Sequence, residues 1–357
     1  MPDRIQHIDW MKGIAILCMV QVHTAAAMPL SGVPLDHPLA LLAAAIGGMA
    51  APLFVTMSGY GVHISAKNRD RELRDWVNWA LPRIGVLVLC QLLVNLIFNV
   101  DHGGRFKIFT PGILTLFAIS TMLMPIITRL NFRTRTWIWA SVILSPLILS
   151  GYTGEDLDWY SRITVDGPSE FGTRLILNGT YPALPWLAYI VLGTLLSGIV
   201  ESRNFAVISI FLGSSMTLAT LLISLDNGVP WAMTEGPAVL TFFPANESFL
   251  VVSMTILIIV KVALGRIESS PKPNLHRVLG HLAPAGRMSL SIYVTHFVVL
   301  GLFVANYDGG PITMAMSFCI TILHTLVWIP IAIVYEKRLG WFSFENLIRT
   351  LSLKLSK

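Results

Sequence analysis

The sequence predicts an all-α, polytopic integral membrane protein with about ten transmembrane helices and both termini in the cytoplasm. Three observations predict this class. Hydrophobic residues make up 54% of the 357 residues and charged residues only 13%, whereas soluble domains are about 25% charged. The apolar residues are grouped in runs long enough to cross a bilayer, and the basic residues are concentrated between alternate runs. This composition excludes a soluble globular protein, a disordered chain and an ordinary nucleic-acid binder.

Ten apolar runs follow one another along the chain, each close to the ~20 residues that span a hydrocarbon core. The second run contains Gly47, Gly48 and Pro52 and is expected to be kinked, and the fifth is the shortest. No repeat or long linker interrupts the series, so residues 1–357 are predicted to form one domain. The runs cover residues 11–30, 39–64, 76–99, 109–128, 137–152, 181–200, 204–224, 247–265, 288–307 and 311–334.

The distribution of charge tests this arrangement of helices. With ten spans, all but four of the 25 lysines and arginines lie on the side that holds both termini. The net charge of +5 then divides into about +12 on that side and about −7 on the other, which is the asymmetry of the positive-inside rule. The basic side is therefore predicted to face the cytoplasm.

Ionisable side chains inside the first apolar run are candidates for function because charged and polar groups are costly in a membrane. Lys12 and His23 are eleven residues apart, which places them on one helix face, about 16 Å apart along the axis. A neutral imidazole at this depth can act as a general base. The alternative is a structural histidine bonded to another helix and a lysine that extends to the interface, and spacing alone does not separate the two.

Polar residues in other helices are expected at a similar depth, which suggests a shared polar cavity. Ser289, Tyr293 and His296 lie on one stripe of the ninth helix, and the tenth helix carries His324. A function is favoured for the helices that contain His23 and His296. Three further residues are individually better explained as helix–helix contacts: Ser58, Gln91 and Asn95.

The loop after the second run carries basic residues that suit a polyanion. Arginine binds phosphate bidentately, so the group fits a nucleotide such as coenzyme A. The alternative, which composition alone favours, is a positive-inside loop on anionic lipid. Arg287, just before the ninth helix, allows the same two interpretations. The basic residues are Lys67, Arg69, Arg71, Arg74 and Arg83.

Two loops on the predicted outer side combine acidic and aromatic residues. The carboxylates can hydrogen-bond to a sugar, and the neighbouring rings of Trp159 and Tyr160 can stack on it. Solvated acidic loops with interfacial aromatic residues are, however, commoner. The loop over 225–246 adds Trp231 and Glu235. The carboxylates of the loop over 153–180 are Glu155, Asp156, Asp158, Asp166 and Glu170.

Several segments resemble the transmembrane acyltransferase superfamily over nearly the whole chain. RIQHIDWMKGIAILCMVQVH is similar to the opening helix of the acyltransferase family 3 branch, and Lys12 and His23 occupy its Arg/Lys-x10-His motif, with lysine in place of the commoner arginine. APLFVTMSGYGVHIS resembles the second helix of that family, and Arg71-Glu-Leu-Arg74 its cytoplasmic R-x-x-R element. GRMSLSIYVTHFVVLG resembles the family's helix near the C-terminus. NGTYPALPWLAYIVLGTLLSG and AGRMSLSIY are more similar to bacterial relatives of heparan-alpha-glucosaminide N-acetyltransferase.

The resemblance implies an enzyme that moves an acyl group, expected to be acetyl, from cytoplasmic acyl-CoA to an outer acceptor. The acceptor would be a hydroxyl or amine of a glycan or similar molecule, so the enzyme would be an O- or N-acetyltransferase. Under this interpretation His23 is the general base or a transient acyl carrier. His296 and Tyr293 orient the thioester or stabilise its oxyanion, and Ser58 supports them.

The donor, acetyl-CoA or another acyl-CoA, would be held by its phosphates. The resemblance and the charge pattern together assign this role to Lys12, Arg71, Arg74 and Arg83. The three cysteines show no metal-ligand spacing, so no metal is expected.

Two other functions remain open. A polar layer inside ten helices also describes a transporter or flippase of a small polar or lipid-linked substrate, and a sensor or assembly factor would keep the fold without the chemistry. The expected partners are the lipid bilayer, acyl-CoA and an extracytoplasmic glycan, with no nucleic acid. The oligomeric state stays open, with a homodimer among the alternatives. The expected location is a bacterial cytoplasmic membrane.

Overall fold

The computed structural model describes residues 5–32, 37–67, 71–270 and 273–355, and most of them are helical. The remaining structure comprises 3₁₀ turns at Val100–His102 and Ser150–Tyr152, a π-helical turn at Arg174–Asn178, and the short parallel strands β1 (Ala232–Met233) and β2 (Leu240–Thr241). The helices are α1 (Gln6–Ala27), α2 (Pro38–Gly48), α3 (Ala50–Lys67), α4 (Leu73–Ile97), α5 (Ile113–Ile127), α6 (Phe132–Ile143), α7 (Ser145–Ile148), α8 (Trp159–Ile163), α9 (Pro168–Thr173), α10 (Ala183–Glu201), α11 (Arg203–Asn227), α12 (Glu247–Glu268), α13 (Pro273–Gly280), α14 (Ala283–Arg287), α15 (Ser289–Asn306), α16 (Met314–Leu339) and α17 (Phe344–Leu355).

The predicted all-α membrane fold class is confirmed. Among the described residues, seven segments are long and apolar enough to cross a membrane: α1, α2 with α3, α4, α11, α12, α15, and the segment that begins with α16. The second of these is interrupted at Met49, beside Gly47 and Gly48, where the sequence predicts an irregularity.

The other three predicted runs take different forms. α5 has 15 residues, since Pro111 and Gly112 precede it. The segments 168–178 and 183–199 form a pair bent by 50°, so part of the predicted outer loop is helical. The continuous helix predicted over 137–152 is wrong: α6 ends at Ile143 and α7 begins with Ser145 and Pro146, because proline lacks the amide hydrogen that would continue the hydrogen-bond ladder.

The described chain forms two compact units. The first contains the residues up to Phe54, Leu92–Ile108 and Leu264–Leu351. The second contains Val55–Gln91, Phe109–Ala263 and the residues from Ser352.

The first unit is organised around α1, which packs against α2, α14, α15 and α16. Trp10, Met11 and Ile16 on α1 are almost completely buried. The contact with α14 is unusually close, because a Cβ added to Gly286 would lie 2.1 Å from the carbonyl oxygen of Asp9 and 2.8 Å from the amide nitrogen of Gly13. Glycine at position 286 therefore allows the two helix backbones to touch.

The second unit is organised around α10, which packs against α5, α6 and α11. Val191 and Leu195 of α10 pack with Ile127 of α5 in one buried cluster. The hydroxyls of Tyr189 on α10 and Ser253 on α12 are 2.6 Å apart, so a hydrogen bond joins these two helices where both side chains are buried.

The surface of α11 is largely apolar and exposed. Only 17% of its most apolar 18 residues are buried, and Phe211, Leu218 and Leu222 are each more than half exposed. An apolar surface of this extent is unfavourable in water and favourable in contact with lipid. The protein is therefore an integral membrane protein.

We expect Gly286→Ala to destabilise the protein by about 1–3 kcal/mol, because the new methyl group overlaps the backbone of α1. The measurement is the thermal unfolding midpoint in detergent. Gly280→Ala is the matched control, since a Cβ there meets nothing within 4 Å. Equal midpoints for the two variants would contradict the close α1–α14 contact.

Candidate active site

A pair of histidines joins α1 to α15 within the first unit. The Nδ1 atom of His23 is 2.9 Å from Nε2 of His296, and the two rings are stacked with centroids 5.1 Å apart. His296 is completely buried, whereas His23 is only partly buried. We call these two residues the histidine pair.

The surrounding hydrogen bonds assign the protons of the histidine pair. The Nδ1 atom of His296 is 3.0 Å from the carbonyl oxygen of Ile292, and a carbonyl only accepts, so this nitrogen carries hydrogen. The Nε2 atom of His296 is then an acceptor, and Nδ1 of His23 must donate to it. In this arrangement the lone pair of His23 lies on Nε2, which leaves that atom as a base.

A third histidine is bonded to the residue that follows His23. The indole nitrogen of Trp328 donates to Nε2 of His324 at 3.2 Å, so Nδ1 of His324 carries hydrogen and donates to Oγ1 of Thr24 at 2.7 Å. The Thr24 hydroxyl in turn donates to the carbonyl of Val20. The neutral tautomer of His324 thus holds α16 against α1. No group of three or more metal-binding side chains that could hold an ion occurs among the described residues.

Aromatic rings surround the histidine pair. Phe297 is completely buried, and its ring centroid lies 4.5 Å from that of His23 and 4.3 Å from that of His296. The ring of Tyr293 lies 6.0 Å from His23 and 5.6 Å from His296, edge-on to both. The structure thus brings together the predicted residues His23, His296 and Tyr293, with their ring planes fixed by packing.

The sequence allows Arg287 to bind either a polyanion or anionic lipid, but in the structure its guanidinium binds carboxylates of the protein itself. Its guanidinium binds Glu336 of α16 through two nitrogens and lies 3.5 Å from a carboxylate oxygen of Asp9 on α1. The hydrogen bonds to Glu336 raise the pKa of Arg287 above its ordinary value. Arg287 is therefore an internal ion-pair partner that links three helices, rather than a free phosphate or lipid site. Lys12 lies half-buried on the same helix as Asp9 and His23.

Two of the predicted phosphate-binding arginines lie against one tryptophan in the second unit. The guanidinium carbons of Arg71 and Arg83 are 5.4 Å and 4.5 Å from the ring centroid of Trp79, within the range of cation–π contacts. Arg71 also donates to Ser65 at 3.0 Å. Arg74 is exposed in the first turn of α4, and Arg69 lies outside the described residues.

Two carboxylates of the acidic loop in the second unit make contacts within the loop itself. Glu170 accepts a hydrogen bond from Arg174 at 2.8 Å. Asp158 caps α8, and the side chain and backbone amide of Ser161 lower the pKa of this carboxyl. Glu155 and Asp156 are exposed, so these two carboxylates face solvent or a ligand.

The three polar residues expected to join helices have separate surroundings. Gln91 accepts a hydrogen bond from the amide of Leu114 at the start of α5, and Asn95 donates to the carbonyl of Ile108 at 2.9 Å. Both bonds agree with a structural role. Ser58 belongs to the second unit, half-buried on α3, whereas the histidine pair belongs to the first.

Sequence reasoning did not identify Thr24 or Glu345 as parts of this site. Thr24 follows His23 directly, and its hydroxyl could have been recognised as a partner for another polar helix. Glu345 accepts hydrogen bonds from the first turn of α15, and no local pattern points to a contact over 55 residues.

Fold and site together define a helical membrane protein in which two histidines of different helices are hydrogen-bonded to each other. The family model of the acyltransferase domain, acyltransferase family 3, matches residues 5–335. The chain therefore belongs to this family and is a membrane acyltransferase, which confirms the resemblance found in the sequence. A comparison with curated proteins finds no significant match.

We expect Arg287→Met to lower the free energy of unfolding by about 1–3 kcal/mol, because it leaves two partly buried carboxylates without this cation. Chemical denaturation in detergent measures the change. Arg277→Met, at an exposed side chain on α13, is the control. Adding Glu336→Gln to Arg287→Met should recover part of the loss, and a further loss instead would contradict the assigned ion pair.

Proposed function

We propose that this acyltransferase moves an acyl group, expected to be acetyl, from acyl-CoA to a hydroxyl or amine of an extracytoplasmic glycan or similar acceptor. The observation that carries the proposal is the histidine pair, since its hydrogen bonds leave Nε2 of His23 as the nitrogen without hydrogen, which can act as a base. Transfer to a hydroxyl or amine requires such a base.

The reaction can be written with His23 alone as acid and base. Nε2 of His23 takes the proton of the acceptor hydroxyl or amine while that oxygen or nitrogen bonds to the thioester carbonyl carbon. The tetrahedral intermediate then collapses, the carbon–sulfur bond breaks, and the imidazolium returns the proton to the departing coenzyme A thiolate. An acyl-His23 intermediate is the alternative route. Either route ends with an acylated acceptor and free coenzyme A.

The neighbouring residues support this base. His296 accepts the Nδ1–H bond of His23, which becomes charge-assisted when His23 is protonated. Tyr293 is the candidate for orienting the thioester or stabilising its oxyanion.

The donor is proposed to be held through its phosphates by cations at the cytoplasmic side. In the second unit these are Arg71 and Arg83, positioned by Trp79, together with exposed Arg74. In the first unit Lys12 adds a positive charge on the face of α1 that carries His23. Guanidinium groups suit phosphate because they bind it bidentately.

The acceptor side is proposed to include the acidic loop, with Glu155, Asp156 and Tyr160 exposed as partners for sugar hydroxyls. The positive-inside distribution supports this sidedness, and the proposed location is a bacterial cytoplasmic membrane. A transporter is the competing function, since one bent helix pair occurs at 168–178 and 183–199. Transport alone would leave acyl-CoA intact.

We expect His23→Ala to lower acyl transfer by about 10²–10⁴-fold, the usual contribution of a general base. The assay gives the purified protein labelled acetyl-CoA and a glycan acceptor and measures labelled product. His281→Ala, at an exposed histidine of the same unit, should retain full activity. Unchanged transfer by a folded His23→Ala variant would remove His23 from the mechanism.

We expect Arg71→Gln and Arg83→Gln each to raise the KM for acyl-CoA about tenfold with little change in kcat, because phosphate contacts contribute equally to ground-state and transition-state binding. Calorimetric titration with coenzyme A gives the matching change in Kd. Arg133→Gln, at an exposed arginine on α6, is the control. A loss of the same size in that control would indicate general charge attraction, which contradicts a specific phosphate site.

A further inference from the structure

The start of α15 is held by a glutamate from the C-terminal helix. A carboxylate oxygen of Glu345 accepts hydrogen bonds from the amides of Leu290 at 2.7 Å and Ser291 at 3.1 Å. Its other oxygen accepts from the Ser291 hydroxyl at 2.6 Å. The amide of Phe344 donates to the same hydroxyl at 3.0 Å. All four bonds lie within the first unit.

These bonds satisfy groups that α15 cannot satisfy itself. The first amides of a helix have no partner within the helix, and α15 has no side-chain cap at Met288. A carboxylate at a helix N-terminus is further stabilised by the helix dipole. Glu345 therefore serves as the cap of α15, although it lies on α17.

The capped turn is continuous with the bonds that orient the histidine pair. The carbonyl of Ile292, which receives the Nδ1–H of His296, directly follows Ser291 in the chain. The carbonyl of Ser291 accepts the hydroxyl of Thr295 at 2.7 Å, and Thr295 precedes His296. A shift of the first turn of α15 would consequently move two carbonyls. One is that of Ile292, which sets the tautomer of His296, and the other is that of Ser291, which holds the residue before His296.

We propose that Glu345 is a positioning residue for the acyl transfer, acting through α15 on the histidine pair. This inference rests on the proposed function of His23. The family match ends at residue 335, so Glu345 and the whole of α17 lie beyond the matched domain. The C-terminal helix thus supports the proposed reactive centre from outside the matched range.

We expect Glu345→Ala to lower kcat about 10–100-fold with the KM for acyl-CoA within about twofold, since a misplaced catalytic group costs rate while the phosphate contacts are unchanged. Glu345→Asp, which keeps the charge, should restore part of kcat, and Glu345→Gln, which keeps an acceptor oxygen, should lie between.

Asn346→Ala is the matched control because it acts on the same helix without touching α15. The side-chain amide of Asn346 donates to the carbonyl of Trp341 at 2.8 Å, so this variant removes one hydrogen bond beside Glu345 and leaves the Glu345 carboxylate and its bonds to α15 in place. It should keep kcat and KM. An equal fall of kcat in Asn346→Ala, or an unchanged kcat in Glu345→Ala, would overturn the inference.

Two measurements keep the inference testable if the wild-type protein transfers no acyl group, an outcome that would refute the proposed function only. The first is amide hydrogen exchange at Leu290 and Ser291, expected to be at least about tenfold faster in Glu345→Ala. The second is the rate at which diethyl pyrocarbonate modifies His23, read by mass spectrometry and expected to change at least about threefold because the orientation of its ring is altered. Wild-type values for both in Glu345→Ala would refute the positioning role.

Discussion

The close approach of α1 and α14 is the constraint on which the site depends. Gly286 of α14 lies so near the carbonyl of Asp9 that no side chain fits between them. Only Met288 separates α14 from α15, so the position of α14 also determines where α15 begins relative to α1. From that start, His296 reaches His23, which is 273 residues away in the chain.

Ionic contacts then hold this arrangement at the predicted cytoplasmic end. Arg287 bridges Asp9 of α1 and Glu336 of α16, directly before α15, and Glu345 closes the first turn of α15 itself. Each contact is only partly buried, so its worth in free energy is modest. Together they act on geometry. They fix α1, α15 and α16 relative to one another at this end of the helices, and the positions of His23 and His296 follow from that.

The sequence was sufficient for the fold class and for part of the site. Counting residues from basic helix ends places His23 and His296 deep in their helices, since the rise per residue is constant. The pairing of the two depends on how α1 and α15 cross, which no local pattern encodes. The same holds for the stacking of Arg71 and Arg83 on Trp79. The failure over 137–152 has a local cause, as Pro146 outweighs an apolar composition that favours a span.

The two histidines are chemically unequal although they share one hydrogen bond. Both nitrogens of His296 are engaged, one with the carbonyl of Ile292 and one with His23, and its side chain is completely buried. It therefore has no atom left for the acceptor, and its contribution must pass through the ring of His23. His23 has one engaged nitrogen and is only partly buried as a residue. Under the proposed mechanism His23 is therefore the histidine that takes the proton of the acceptor, and the role proposed for His296 changes from orienting the thioester or stabilising its oxyanion to orienting His23.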